Sequence, residues 1–314
     1  MPVNHFDQAS RFAAQLDSAE FLRWLLGLNA DECTFRGWLD TRGVPFPGDT
    51  DRVSDTVAHL TDELRNGVPW AVAVEFQSQP DPTMFARLLA YLSGLWLHCK
   101  PDAGRGSRFH VGAAVVNLTG IGSAARDLSW PEIGLQTSLQ IVERNLGDES
   151  AADLVSQIEG GRWSRNLLPW VPLMFGGEQA DTIVRWKALA LAEPDRRRKA
   201  ELGGLALVFA DKAGCKEIWE QHLEGWNVEE SSVVNGWIAV AEARGVALGE
   251  ARGKEVGSME EAQAAVLRLG TKKFGPASEE VAATVRAIRD RARLERMLDR
   301  VLDAMNWDEV VATA

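Results

Sequence analysis

The chain has 314 residues, 46% of them apolar and 25% charged, with a formal net charge of −11. That length buries a sizeable core, in one large domain or two smaller ones, and the composition is that of a soluble globular protein. No apolar run reaches the roughly 18 residues of a membrane-spanning helix. The acidic balance speaks against nonspecific coating of DNA, which rests on Lys and Arg.

The N-terminus, Met1-Pro-Val-Asn-His-Phe-Asp, lacks the basic-then-apolar pattern of a secretory signal. Cys33, Cys99 and Cys215 are scattered and odd in number. They predict neither a disulfide framework nor a thiolate metal site, and they fit a cytoplasmic protein.

Residues 6–28 read as helical, with Asp17 or Ser18 as a cap and Phe21, Leu22, Leu25 and Leu28 as the apolar face. Arg36 to Thr41 reads as a short strand. Gly43-Val-Pro-Phe-Pro-Gly48 is a loop, because its prolines and glycines break regular structure. Two strands follow, over Asp51–Leu60 and Trp70–Gln77. In the second, Trp70, Val72, Val74 and Phe76 point one way, and Ala71, Ala73, Glu75 and Gln77 point the other. The bulky face suits a core. The small face ends in two polar side chains.

Thr61 to Pro69 is rich in turn residues and predicts a hairpin. If Leu60 lies opposite Trp70, Asp55 lies opposite Glu75, with Cβ atoms about 5 Å apart. Two carboxylates held so supply the hard oxygen ligands that Mg²⁺ or Mn²⁺ prefers. A solvated strand end is the bland alternative.

Residues 81–98 form an amphipathic helix with Met84, Leu88, Tyr91, Leu92 and Leu95 at helical spacing. Arg87 and Tyr91 share one face. Phe109 to Leu118 is a nearly continuous apolar run, as in a strand buried on both faces of a parallel arrangement. Gly120-Ile-Gly122-Ser-Ala-Ala125, with Glu143 downstream, has the outline of a dinucleotide loop. Trp130-Pro131, however, stops any helix there within two turns. Leu139 to Val142 reads as one more strand.

Beyond Asp148 the pattern turns helical, over 150–159, 162–175, 178–192, 196–214 and 216–224. Arg196-Arg-Arg-Lys199 is the densest basic run, diluted by Asp195 and Glu201. Residues 236–269 read as one long helix with Gly245, Gly249, Gly253 and Gly257 on a stripe. That stripe allows a helix contact between subunits, making a homodimer, or else a frayed linker. Residues 278–304 read as a single charged helix, and Trp307 to Val311 as a short terminal one.

The fold expected is α/β: a small mixed sheet flanked by helices over 1–148, a helical region over 149–235 packed on it, and a helical extension over 236–314. The chain resembles the PD-(D/E)XK nuclease superfamily, and within it the recombination-promoting nuclease and putative transposase group. The resemblance is carried by Arg52-x-x-Asp55-Thr-Val, Val74-Glu75-Phe76-Gln77-Ser78, Pro80-Asp-Pro-x-Met84-x-x-Arg87-Leu-Leu-x-Tyr91, the buried strand to Leu118, and Lys273-Phe274-Gly275.

It implies a restriction-endonuclease-like core and a Mg²⁺- or Mn²⁺-dependent endonuclease acting on DNA in recombination. Asp55 and Glu75 would be the metal ligands. Gln77 would stand where many members carry lysine, able to hydrogen-bond but not to supply positive charge. Glu20, Arg87 and Tyr91 would support the site. The competing expectation is a nuclease fold that binds DNA or a protein without cutting.

Overall fold

The computed structural model describes residues 5–41, 56–101, 108–227, 231, 235, 254 and 257–313. The chain divides into two compact units, Met1–Trp237 and Ile238–Ala314. The α/β part and the helical region that follows it therefore lie in one unit.

Two helices open that unit, α1 (His5–Gln15) and α2 (Ser18–Leu26). Asp17 separates them by capping α2, its carboxylate accepting from the Glu20 N–H at 3.1 Å. Gly27 ends α2 in the left-handed conformation, φ +70°, and donates back to the carbonyls of Arg23 and Trp24.

Strands β1 (Cys33–Trp38), β2 (Val57–Asp62), β3 (Val68–Gln77) and β4 (His110–Asn117) follow, with α3 (Met84–His98) between the last two. β1 begins three residues earlier than the apolar pattern suggests and carries a bulge between Phe35 and Gly37. A separate hairpin, β5 (Arg126–Trp130) and β6 (Leu135–Leu139), precedes β7 (Val142–Asn145). The expected strand at Leu139 to Val142 is in fact the end of β6 and the start of β7.

The main sheet has five strands in the order β1-β2-β3-β4-β7. β1, β2 and β3 are antiparallel neighbours, whereas β3, β4 and β7 run parallel. The fold is thus mixed α/β, with helices on both sheet faces. The parallel pairing of β3 and β4 is what a strand-helix-strand unit through α3 requires.

The alternation along β3 sorts the two layers. Val72, Val74 and Phe76 enter a core with α1, α2 and the helical region, while Ala71 and Ala73 pack under α3 with Met84, Leu88, Tyr91 and Leu95. The small residues let α3 approach closely.

The helical region holds α4 (Ala151–Glu159), a 3₁₀ stretch at Arg165–Leu173, α5 (Ala180–Leu191), α6 (Arg196–Ala213) and α7 (Lys216–His222). Pro169 and Pro172 lie inside the 3₁₀ stretch, where each removes a backbone donor, so the α-helix expected over 162–175 does not form. Trp170 from this stretch is fully buried and stacks on Phe76 at 5.8 Å and on Phe209 of α6 at 5.1 Å. One indole thus ties the sheet to the helical region.

In the second unit a helix over 257–274, α8, is followed by α9 (Glu279–Ala287), α10 (Arg291–Asp303) and α11 (Trp307–Val311). Val266, Val285, Leu294, Met297 and Val301 form its core. The single helix expected over 278–304 is broken at Ile288–Asp290. Asp290 caps α10, accepting from the Arg293 N–H at 3.2 Å. Lys273-Phe274-Gly275 is structural here. Phe274 packs edge-on against Trp307, and the Gly275 carbonyl accepts from the Trp307 indole at 3.1 Å. Gly245, Gly249 and Gly253 lie outside the described residues, with Gly257 at the start of the described part of α8.

Candidate active site at the carboxyl ends of the parallel strands

The β2–β3 hairpin has the expected register. Leu60 pairs with Trp70 and Val57 with Ala73. The ladder goes one step further, the Thr56 carbonyl accepting from the Val74 N–H at 2.8 Å. Asp55, the next residue, lies outside the described residues.

Glu75 and Gln77 are half-buried and fall on the face that α3 covers. The parallel register sets both into rows across the sheet. Glu75 is level with Val115, which is level with Glu143; Gln77 is level with Asn117, which is level with Asn145. The carboxyl ends of three parallel strands therefore carry one row in which Val115 separates Glu75 from Glu143 and one wholly polar row, Gln77–Asn117–Asn145. Open α/β sheets place their ligands at this end.

The second row is tightly bonded. Asn117 is 1% exposed, and its Nδ2 donates to Glu143 Oε1 at 3.0 Å and to Asn145 Oδ1 at 2.8 Å. The loop after β4 closes over these groups. The Gly122 N–H donates to Asn145 Oδ1 at 2.9 Å, and the Ala124 N–H to Glu143 Oε2 at 2.8 Å. A Cβ at Gly122 would stand 2.5 Å from Asn117 Nδ2, so only glycine lets the loop sit there.

This explains Gly120-Ile-Gly122 without a nucleotide. The loop leads into β5 rather than into a helix, and its N–H groups are spent on Asn145 and Glu143. Asn117 and Asn145 were not legible as site residues, since their alignment depends on pairing between strands distant in sequence. The one available signal was a buried asparagine closing an apolar run.

A cavity of about 10 Å³ lies beside Gln77, Asp81, Asn117 and Glu143. A larger hollow of about 620 Å³ lies over Leu60, Trp70 and Val72, toward the other end of β3 and on its opposite face. It is lined mostly by apolar groups and is separate from the acidic end.

Arg87 and Tyr91 sit on α3 above this end of the sheet. Arg87 Nη1 donates to Asp81 Oδ2 at 2.7 Å, and Asp81 Oδ1 accepts from the Thr83 hydroxyl at 2.7 Å and the Thr83 N–H at 2.8 Å. Burial alone would raise the Asp81 carboxyl, but Thr83 and then Arg87 outweigh it and hold its pKa below the ordinary range. Asp81 thus anchors Arg87 to the turn that follows β3. Tyr91 is 1% exposed and packs within the α3 core.

Glu20 is elsewhere. Its helix packs on the Phe76 face of β3, Phe21 lying 6.0 Å from the Phe76 ring, whereas Glu75 and Gln77 face α3. Glu20 pairs with Arg23 and accepts from the Ser164 N–H at 2.9 Å. The carboxylate expected to support the site instead fixes the start of the 3₁₀ stretch. The basic run at 196–199 is likewise a brace: Asp195 caps it, and Arg198 Nη1 donates to Asn166 Oδ1 at 3.1 Å.

Among the described residues, no group of three or more His, Cys, Asp and Glu side chains comes together as a metal site. Glu75 and Gln77 nevertheless offer oxygen donors two positions apart on one strand face, the donor chemistry that Mg²⁺ and Mn²⁺ accept. Among the same residues no helix is long and apolar enough to cross a membrane. Comparison of the chain with protein-family models, with curated proteins and with solved structures finds no match.

Proposed function

We propose that this chain is a metal-dependent DNA endonuclease with a PD-(D/E)XK-like core, built on Asp55, Glu75 and Gln77. The observation that carries the reading is the β2–β3 register, Leu60 with Trp70 through Val57 with Ala73. Counted onward, the same register would set Asp55 opposite Glu75, two positions before Gln77 on β3.

In this reading Asp55 and Glu75 hold Mg²⁺ or Mn²⁺. The bound cation supplies an activated water and stabilises charge on the phosphodiester. Gln77 hydrogen-bonds the water or the scissile phosphate. Arg87, fixed by Asp81, places positive charge beside this end of the sheet. The Asn117–Glu143–Asn145 cluster keeps the strand ends and the covering loop in place. Glu20 has no part in the chemistry, and DNA is the partner.

Gln77 favours a second reading. It brings no positive charge to the position where a lysine would aid cleavage, and a nuclease fold that binds DNA or protein without cutting fits the same scaffold. The two separate on supercoiled plasmid. Nicking in Mg²⁺ or Mn²⁺ that is lost in Asp55→Ala and in Glu75→Ala supports the nuclease. Plasmid retardation without nicking, under every divalent ion, supports the binding module. Equal nicking by wild type and both variants rules out this site.

A further inference from the structure

We infer that a basic cavity between α5, α6 and the turn after α7 is a binding site for a small phosphate monoester. This stands independently of the nuclease reading, because the cavity is built from the helical region alone.

The cavity has a volume of about 260 Å³ and is lined by Lys187 of α5, Arg196 and Lys199 of α6, and Glu224 and Trp226 beyond α7. Arg196 and Lys199 stand three positions apart and so share a helix face. The structure thereby sorts the basic run. Arg198 is the brace, its Nη1 also donating to the Leu16 carbonyl at 3.3 Å, whereas Arg196 and Lys199 border the cavity. Three cations stand against one carboxylate, a local excess of two positive charges on a chain of net charge −11. Glu224 does not cancel it by contact: among the described residues it forms an ion pair with none of the three, and Lys199 forms none at all. Like charges gathered in a recess repel one another and attract an anion.

The walls are held before any ligand arrives. Lys187 Nζ donates to the His222 carbonyl, which fixes its ammonium at the rim. The Trp226 indole N–H donates to the Lys199 carbonyl at 3.2 Å, and a Cβ at Gly203 would stand 2.3 Å from that nitrogen, so glycine makes room for the ring. Groups already fixed in place lower the ordering cost of binding. The end of α6 is itself closed by the Asp195 carboxylate, so the side chains, not the helix terminus, meet the ligand.

Charge and size select the class. An excess of two charges matches a dianion, and a phosphate monoester carries close to two negative charges at pH 7.5. Its oxygens accept short, charge-assisted bonds from ammonium and guanidinium groups. The cavity is smaller than the roughly 300–1,000 Å³ of drug-sized sites, so it takes a phosphate head with a small body, for which the half-buried Trp226 ring is the apolar wall.

Isothermal titration calorimetry of the full chain with phenyl phosphate, at pH 7.5 and low salt, tests this. Wild type is expected to bind with a Kd of about 1 mM or tighter. Lys187→Gln and Lys199→Gln should each weaken binding about tenfold or more, and Glu224→Gln should tighten it about threefold or more by removing the opposing charge. Lys216→Gln, on a cation that pairs with Asp211 and Glu220, should change nothing. Inorganic phosphate should compete, which places recognition in the phosphate group. No binding by wild type up to about 10 mM overturns the inference, as does a Kd indifferent to both lysine substitutions. A misfolded variant cannot bind more tightly, so a Kd that fails to fall in Glu224→Gln overturns it as well. Failure of phosphate to compete, or tighter binding of succinate, would overturn the assignment to phosphate.

Discussion

Asn117 offers the sharpest test of how the strand ends are held. Its amide is almost wholly enclosed and gives one hydrogen bond to Glu143 and one to Asn145. Asn117→Ala removes both donors. A bond to a carboxylate contributes about 1.5–3 kcal/mol and a neutral one about 1, so the expected loss is about 2–4 kcal/mol. Asn117→Asp is expected to be worse at neutral pH. It also removes both donors, and it sets a second carboxylate beside Glu143, adding at least about 2 kcal/mol even at an effective dielectric near 20.

The two variants should part company with pH. Repulsion raises the folded-state pKa of the introduced carboxyl above its unfolded value of about 4. The extra penalty is then fully present at high pH and fades as pH falls through the raised pKa. The assay is urea unfolding followed by tryptophan fluorescence at pH 7.5 and pH 5. Of the twelve tryptophans only Trp307 lies beyond residue 237, so the signal reports the first unit. Asn117→Asp should be less stable than Asn117→Ala at pH 7.5, with the gap narrowing at pH 5. Equal stabilities at pH 7.5, or a gap indifferent to pH, would refute the amide's donation to the Glu143 carboxylate.

Gly122→Ala should cost about 1–3 kcal/mol in the same assay, because its Cβ would press on the Asn117 amide and displace the loop that covers Gln77. Glu20→Gln should lower stability by about 1–2 kcal/mol through loss of the Arg23 pair, while leaving any Mg²⁺-dependent nicking intact. Asp81→Asn should flatten the acid limb of the stability curve. The depressed Asp81 pKa contributes stability above about pH 4 that is lost as pH falls through the folded value. Because the pair is partly exposed, that contribution is below about 1 kcal/mol.

What the sequence revealed and what it hid follow from the range of the interactions involved. The two faces of β3 were legible because alternation is local, and the Leu60–Trp70 register because one short turn sets it. The Asp17 cap was legible for the same reason. The helix break at Ile288–Asp290 was not, since an aspartate in a charged helical pattern reads as a solvated face until it is seen to cap. The β5–β6 hairpin was hidden by Trp130-Pro131, read only as a helix stop, although Pro131 and Gly134 bound the 3₁₀ turn that joins its strands. The placing of Glu20 was not legible for a topological reason. A carboxylate on a helix has no sequence signature for the sheet face it will occupy, and this one lies across the sheet from Glu75. The Asn117 row depends on β4 pairing with both β3 and β7, which no local pattern encodes.

The most direct measurement of the proposed site is Mn²⁺ binding followed by electron paramagnetic resonance, with or without DNA. Wild type is expected to immobilise the ion at a site that Glu75→Ala and Asp55→Ala each abolish and that Glu20→Gln leaves intact. Undiminished Mn²⁺ binding in both Glu75→Ala and Asp55→Ala would contradict the assignment of the metal to the end of β3.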